Sequence, residues 1–273
     1  MWLLGQKGLS MKYDMHCHLD FCSAPSLLAD QLCADGVGGL SVTVEPSGFL
    51  RAKEALSKVE GFQAAAGLHP WWINSNKAQA HLQVAALLEV LQTTRFVGEI
   101  GLDTSAHARA SLEVQVFVFR QIIRACARQG GYVLSLHGVK AVGVMLDEIE
   151  ASNVLQDNSC IFHWFSGSSQ DLMRAIKLGC RFSVNSRMLA SGKGKEYAKV
   201  VPLDALLLET DLPQQQSEAS VDDLSAQMKN ALSVAFDELA RIKFATREIE
   251  DVTEEQKTHL AQTLAKQSEG LLE

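Results

Sequence analysis

At 273 residues the chain has room for one large domain or two small ones, and α/β barrels commonly reach this length as single units. Hydrophobic residues make up 47% and charged residues 21%, which excludes a disordered chain, and no stretch reaches the roughly 20 apolar residues of a membrane helix. The net charge of −7 gives the surface no general attraction for a polyanion, so a nucleic-acid or phosphate partner has to be held by a local patch or by metal.

Taken in order, Met1 to Ser10 contains Trp2-Leu3-Leu4 but lacks the basic start and apolar run of a signal peptide, so a cytoplasmic protein is expected. Eight apolar segments read as strands: Lys12 to His16, Gly39 to Val44, Gln63 to Gly67, Phe96 to Gly101, Val133 to His137, Ser159 to His163, Arg181 to Val184 and Ala205 to Thr210. Amphipathic runs separate them, among them Ser26 to Asp35, Ala78 to Thr93, Leu112 to Gln129 and Ala141 to Ser152. After a polar loop from Gln214 to Asp223, a helix is predicted over Leu224 to Phe244, and Thr253-Glu254-Glu255 starts another that runs to the end. Alternating strands and helices imply a parallel sheet, and eight units fit a TIM-like (β/α)8 barrel of the α/β class. A doubly wound open sheet competes, but it gathers its site at one switch point, whereas here reactive side chains end at least six strands. The six cysteines are scattered without a Cys-x-x-Cys pair, and reduced thiols are expected.

The stretch Asp14-Met15-His16-Cys17-His18 sets two histidines two apart on a strand. Regular alternation turns Asp14, His16 and His18 to one face and Met15 and Cys17 to the other. Further strand ends supply Glu99, His137, His163 and Asp211. Four imidazoles with two carboxylates suit zinc, manganese or similar ions rather than calcium. Six ligands exceed what one catalytic ion takes while keeping an open position, so two ions are expected, with Glu99 the natural bridge.

These motifs resemble the TatD family of metal-dependent hydrolases in the amidohydrolase superfamily. The similarity rests on Asp14-x-His16-x-His18-Leu19, Gly67-Leu68-His69-Pro70, Gly98-Glu99-Ile100-Gly101-Leu102-Asp103, Gln115 with Phe119, His137, His163-x-Phe165-Ser166-Gly167, and Leu208-Glu209-Thr210-Asp211. The variant His163-Trp164-Phe165-Ser166-Gly167-Ser168 is most similar to a subgroup of Qat anti-phage defence systems. The resemblance implies a TIM-like barrel and a deoxyribonuclease or phosphodiesterase that uses two divalent metal ions (zinc, manganese or magnesium). It implies that His16 and His18 bind one ion, that Glu99 bridges, and that His137 and His163 bind the other. Asp211 would hold the nucleophilic water and take its proton. It further implies a single domain over residues 11–273 behind an N-terminal extension of residues 1–10, with Met11 as an alternative start.

His69 is a candidate for contacting substrate phosphate or leaving group, against a structural role fixed by Pro70. Asp14 is expected to orient a ligand imidazole rather than bind metal. Trp71, Trp72 and Trp164 could stack on bases or simply pack the barrel mouth. His81, His107 and His259 read as surface residues, Asp103 as a loop anchor, and Glu209 as facing away from the neighbours of Asp211 if the strand continues that far. Relatives carry Ser-Arg after the fifth-strand histidine, where this chain has Gly138-Val139-Lys140, and Lys140 is the available stand-in. Gln214-Gln215-Gln216-Ser217-Glu218 also departs from the family's Arg-x-x-Asn-Glu-Pro pattern. The leading expectation is a nuclease acting on DNA, single-stranded or at free ends. The alternatives are hydrolysis of another phosphoester or an amide, or a metal-binding subunit of an anti-phage defence complex with partner proteins.

Overall fold

Consecutive strands can pair in parallel only when the chain between them is long enough to cross back over the sheet, usually as a helix. That condition is met along the whole chain. The computed structural model describes residues 11–245 and 251–273, so the extension expected over residues 1–10 lies outside the described residues. In chain order the elements are β1 (Lys12–Cys17), α1 (Pro25–Ala34), β2 (Val37–Val42), α2 (Pro46–Leu56), β3 (Phe62–Leu68), α3 (Lys77–Val90), β4 (Phe96–Asp103) and α4 (Leu112–Gln129). They continue as β5 (Val133–Val139), α5 (Val142–Ser152), β6 (Ser159–His163), α6 (Ser169–Lys177), β7 (Arg181–Val184), α7 (Ser186–Ala190), α8 (Gly192–Val200) and β8 (Leu206–Leu208). Two longer helices, α9 (Val221–Phe244) and α10 (Glu254–Leu272), follow.

The strands pair in parallel in the order β1 to β8. Main-chain bonds from Asp211 N to His16 O (2.8 Å) and from His18 N to Leu212 O (2.9 Å) join the end of β8 to the end of β1 and close the barrel. Local chemistry sets the helix ends. Pro25 and Pro46 occupy first-turn positions where a missing N–H costs nothing, and Ser168 and Thr253 form capping boxes worth about 1 kcal/mol each. α4 buries Val114, Val118, Phe119, Ile122, Ile123 and Cys126, the three- and four-residue spacing expected of it.

Two apolar layers result. Met15, Leu40, Val42, Ala65, Phe96, Val133, Ile161 and Leu207 form an inner cluster that fills the barrel, and Leu271 of α10 joins it. α10 therefore covers the N-terminal end of the barrel, where the Tyr13 hydroxyl also donates to Glu269 Oε1 at 3.1 Å. The larger cluster lies between sheet and helices. All six cysteines are free, as expected, and five are buried. No helix among the described residues is long and apolar enough to cross a membrane.

One expectation about β1 is corrected. Its register against β2 shifts between Asp14 and Cys17, so simple alternation fails: Met15 packs in the inner cluster and Cys17 in the outer one, while Asp14 turns toward β8. Asp14 accepts from Thr210 N (2.9 Å), Thr210 Oγ1 (2.6 Å) and His16 N (3.3 Å), and so positions two backbone segments rather than an imidazole ring.

A second irregularity shapes the mouth. The β3–β4 register shifts around Gly67, and there Thr43, the residue after β2, bonds β4 directly, Glu99 N to Thr43 O at 2.7 Å and Thr43 N to Gly98 O at 3.0 Å. Only glycine permits this approach, because a Cβ on Gly67 would lie 1.8 Å from Thr43 O and 2.3 Å from Glu99 N. Gly67→Ala is expected to destabilise the protein by at least about 2 kcal/mol in urea denaturation. Gly192→Ala, at a helix start with nothing within 4 Å of the added carbon, should instead stabilise it by roughly 0.5 kcal/mol.

Candidate metal centre

Glu99, buried midway along β4, is the point on which the other side chains converge. Its Oε2 lies 3.6 Å from His16 Nε2 and 3.7 Å from His18 Nε2. Its Oε1 lies 2.7 Å from His137 Nδ1 and 2.8 Å from His163 Nε2. One carboxylate oxygen thus faces each pair of histidines. Asp211 Oδ1 stands 3.4 Å from His18 Nε2 and 3.7 Å from His16 Nε2, on the first pair's side. All six residues expected at the mouth are brought together, from the ends of β1, β5, β6 and β8 and from β4.

In His16, His18 and His137 the outer nitrogen is held by a partner that fixes the ring's orientation, while that of His163 has no hydrogen-bond partner. His18 Nδ1 is 3.2 Å from Val42 O, and since a carbonyl only accepts, Nδ1 carries the proton and Nε2 presents its lone pair to the site. His16 Nδ1 meets Ser135 Oγ at 2.8 Å. His137 Nε2 lies 3.0 Å from Asp103 Oδ2, which leaves Nδ1 to face Glu99. His163 Nδ1 is 3.7 Å from Glu209 Oε1, and its ring stacks on that of His16 with centroids 3.9 Å apart. Glu209 is in turn held by Asn185 Nδ2 (2.7 Å) and by the Ser183 hydroxyl.

Asp103, expected only as a loop anchor, has both roles. It accepts from Ser105 N at 2.6 Å and from Trp71 Nε1 at 2.7 Å while it orients His137. Burial alone would raise its pKa, and the hydrogen bonds from His137, Ser105 and Trp71 outweigh burial and hold it well below the usual carboxylate range. Gln115 clamps this stretch from α4, accepting from Asp103 N (2.8 Å) and donating to Asp103 O (2.8 Å) and Ala110 O (3.0 Å).

Ser135, Glu209 and Gln214 are absent from the expected site. Strand alternation carried a signal for Ser135, which is two residues before His137 on β5, but not for Glu209, which lies past the end of β8. β8 ends at Leu208, so the condition under which Glu209 is expected to turn away is not met, and its Oε1 lies 3.7 Å from His163 Nδ1 beside the mouth. Gln214 belongs to the polar run that departs from the family pattern. Its Nε2 donates to Asp211 Oδ2 at 2.6 Å and its Oε1 accepts from Arg187. Lys140, the expected stand-in for an arginine, is exposed one residue past β5. His81, His107 and His259 are exposed as expected.

His69 differs from the four histidines above. Its Nδ1 accepts from Trp71 N at 3.1 Å, so in the neutral ring Nε2 holds the proton, and Nε2 points at Glu99 Oε1 (3.5 Å) and His137 Nδ1 (3.3 Å). Burial pushes its pKa down to about 4, the neighbouring His137 adding to the effect and Glu99 opposing it, which keeps the ring neutral near pH 7. Burial would raise Asp211, but the hydrogen bond with His18 and the imidazoles of His163 and His16 bring it to about 2. Glu99 is driven well below its usual value by the surrounding imidazoles despite its burial.

These residues fit a metal. His16 Nε2 is buried and lacks a hydrogen-bond partner, and it points into a set of nitrogen and oxygen donors of the kind that divalent transition ions take. Three groups, His16 with His18 and Glu99, His69 with Glu99 and His137, and His16 with His163 and Glu209, bring their ligand atoms close enough to share an ion.

Residues 13–272 match the family described as TatD related DNase. The chain belongs to the TatD family. It is similar to the metal-dependent hydrolase YjjV of Escherichia coli K12, 27% identical over 210 residues that cover 73% of this chain and 78% of that protein. It is also similar to deoxyribonuclease Tat-D of Schizosaccharomyces pombe, 29% identical over 116 residues, 42% of this chain and 37% of the other. The solved structure of the E. coli homolog superposes with a TM-score of 0.74 at 22% identity, covering 95% of this chain and 97% of that one. An amidohydrolase from Saccharomyces cerevisiae gives 0.72 at 16% identity, covering 96% and 100%. The TatD chain is therefore a metal-dependent hydrolase on a TIM-like barrel.

Replacing Asp103 with Asn should loosen His137 without removing a ligand atom. The expected result is a roughly 10- to 100-fold loss of metal affinity, read by metal analysis after dialysis against graded chelator, with the thermal midpoint of the chelated protein as the control for folding.

Proposed function

We propose that this TatD chain hydrolyses phosphodiester bonds of DNA, acting on single strands or free ends, with two divalent ions (zinc, manganese or magnesium) at the barrel mouth. The observation that carries the reading is the division of Glu99, one oxygen toward His16 and His18 and the other toward His137 and His163. A carboxylate so placed suits the bridging of two ions. His16 and His18 would hold one ion with Asp211 beside them, and His137 and His163 the other. Bound there, the ions would supply Lewis acidity, a water nucleophilic at neutral pH, and positive charge opposite the oxygens of the phosphodiester.

The side chains then divide the remaining work. Asp211 is ionised, and Gln214 ties its Oδ2, which leaves Oδ1 to orient the attacking water and take its proton. Neutral His69 offers Nε2–H as a hydrogen-bond donor to a phosphate oxygen or the leaving group. Asp103, Ser135 and the Val42 carbonyl keep three ligand rings from turning, so little reorganisation is needed when substrate arrives. The names of the deoxyribonuclease relatives support DNA as the substrate.

Purified protein incubated with labelled single- and double-stranded DNA and manganese, magnesium or zinc is expected to cleave, and to stop when chelator is added. Asp211→Ala should lower the rate by about 10²- to 10⁴-fold. Absence of cleavage with every metal, or undiminished cleavage by Asp211→Ala, overturns the nuclease reading.

A further inference from the structure

Next to the metal centre, the turn Pro70–Trp72 and the loop between β4 and α4 enclose a second cavity of about 410 Å³, a size typical of small-ligand sites. Trp71, Trp72, His107 and Arg109 line it, and no acidic side chain does. Trp71 is the wall shared with the metal centre: its Nε1 meets the same Asp103 oxygen that His137 Nε2 meets, and the two rings lie 6.4 Å apart. Trp72 lies nearly parallel to Trp71, with ring centroids 6.1 Å apart and planes 15° apart, and it is 39% exposed. His107 covers another part of Trp71 at 4.8 Å.

This aromatic surface is rigidly mounted. Gln83 donates to Trp72 O (2.8 Å) and accepts from Asn74 N (2.8 Å), and the Ser75 hydroxyl donates to Arg109 O (3.0 Å), which ties the two loops together. The Arg109 side chain is exposed and makes no ion pair among the described residues. In a chain of net charge −7, a guanidinium left without a carboxylate beside exposed indole is a bed for a flat, anionic ligand.

We propose that this cavity is a nucleotide subsite in which an unpaired base stacks on Trp72 and Arg109 takes the phosphate of the same nucleotide. The proposal deepens the nuclease reading and rests on it for the position of the scissile bond, which would lie one step away at the metal centre. A base inside a duplex has both faces covered by its neighbours, so the subsite selects single strands and ends.

The test is isothermal calorimetry on the full chain as purified, with 2′-deoxyadenosine 5′-monophosphate and 2-deoxyribose 5-phosphate as the two probes. Wild type should bind the nucleotide roughly tenfold or more tighter than the sugar phosphate. Trp72→Ala should erase that preference, Trp72→Phe should retain it, and Arg109→Ala should weaken nucleotide binding by roughly tenfold, all with thermal midpoints near that of wild type. Equal affinity of wild type for both probes, or unchanged nucleotide affinity in Trp72→Ala and Arg109→Ala, overturns the subsite. The titration needs no cleavage, so the two readings fail separately. A nucleotide preference lost in Trp72→Ala upholds the subsite even where DNA is not cut, and cleavage by variants that bind the nucleotide like wild type removes the subsite alone.

Discussion

The constraint on which the rest depends is a buried carboxylate. Glu99 lies within 3.7 Å of imidazole nitrogens on both of its oxygens, in a barrel mouth that excludes most water. Taking such a charge out of water costs several kcal/mol unless positive charge or donors surround it. The five histidines around it answer that cost, and the resulting field stabilises positive charge at this spot. Burial alone would favour the neutral ring of His163, yet Glu99 and Glu209 outweigh burial and raise its pKa well above the ordinary imidazole value. The carboxylates that favour positive charge at His163 equally favour a divalent cation there.

That electrostatic centre is possible only because the backbone departs from regular sheet where the ligands sit. β1 slips its register around His16, and β4 slips at Glu99 against both of its neighbours. Asp211 itself adopts φ 57 just past β8, a conformation that Asp tolerates better than most residues, and Trp164 sits at φ 37 directly after His163. Strain of this kind, about 1–3 kcal/mol per residue, persists where surrounding contacts hold it. Here Trp164 N bonds Ser183 O at 3.2 Å, and Asp14 fixes Thr210 beside Asp211.

The barrel is legible in the sequence to the extent that its elements are periodic. Leu112–Gln129, Ser159–His163 and Arg181–Val184 have the boundaries that their patterns indicate, because a buried stripe or a short apolar run bounded by polar residues has one reading. β2 starts two residues earlier than the Gly39 to Val44 run because Gly38 interrupts the apolar signal after Val37, and a Cβ at Gly39 would collide with the Asp14 carbonyl at 1.9 Å. β8 is shorter than read, since the chain turns after Glu209, whose N still bonds Val184 O of β7, and Thr210 and Asp211 bond to β1 instead. The convergence of the six mouth residues follows from strand ends alone. The face of Asp14 does not, because alternation counts residues evenly and a register shift breaks the count.

The same division explains why the metal centre keeps the family's pattern while the surrounding loops depart from it. The rings of His16, His137 and His18 are fixed by Ser135, Asp103 and the Val42 carbonyl, which belong to β5, β4 and β2 and not to the run after Asp211. Asp211 is the exception, because its second oxygen is held from the loop by Gln214, which in turn bonds Arg187, whose guanidinium lies 6.0 Å from the Trp164 ring. The run that replaces the family's Arg-x-x-Asn-Glu-Pro stretch is thus coupled to the residue that would take the proton, and main-chain bonding of Ser217 N to Phe21 O at 2.8 Å anchors that run against the first strand's loop. Sequence change in this loop therefore reaches the site through the orientation of the Asp211 carboxylate, while His137, on the other side of Glu99, is held by Asp103 at the end of β4.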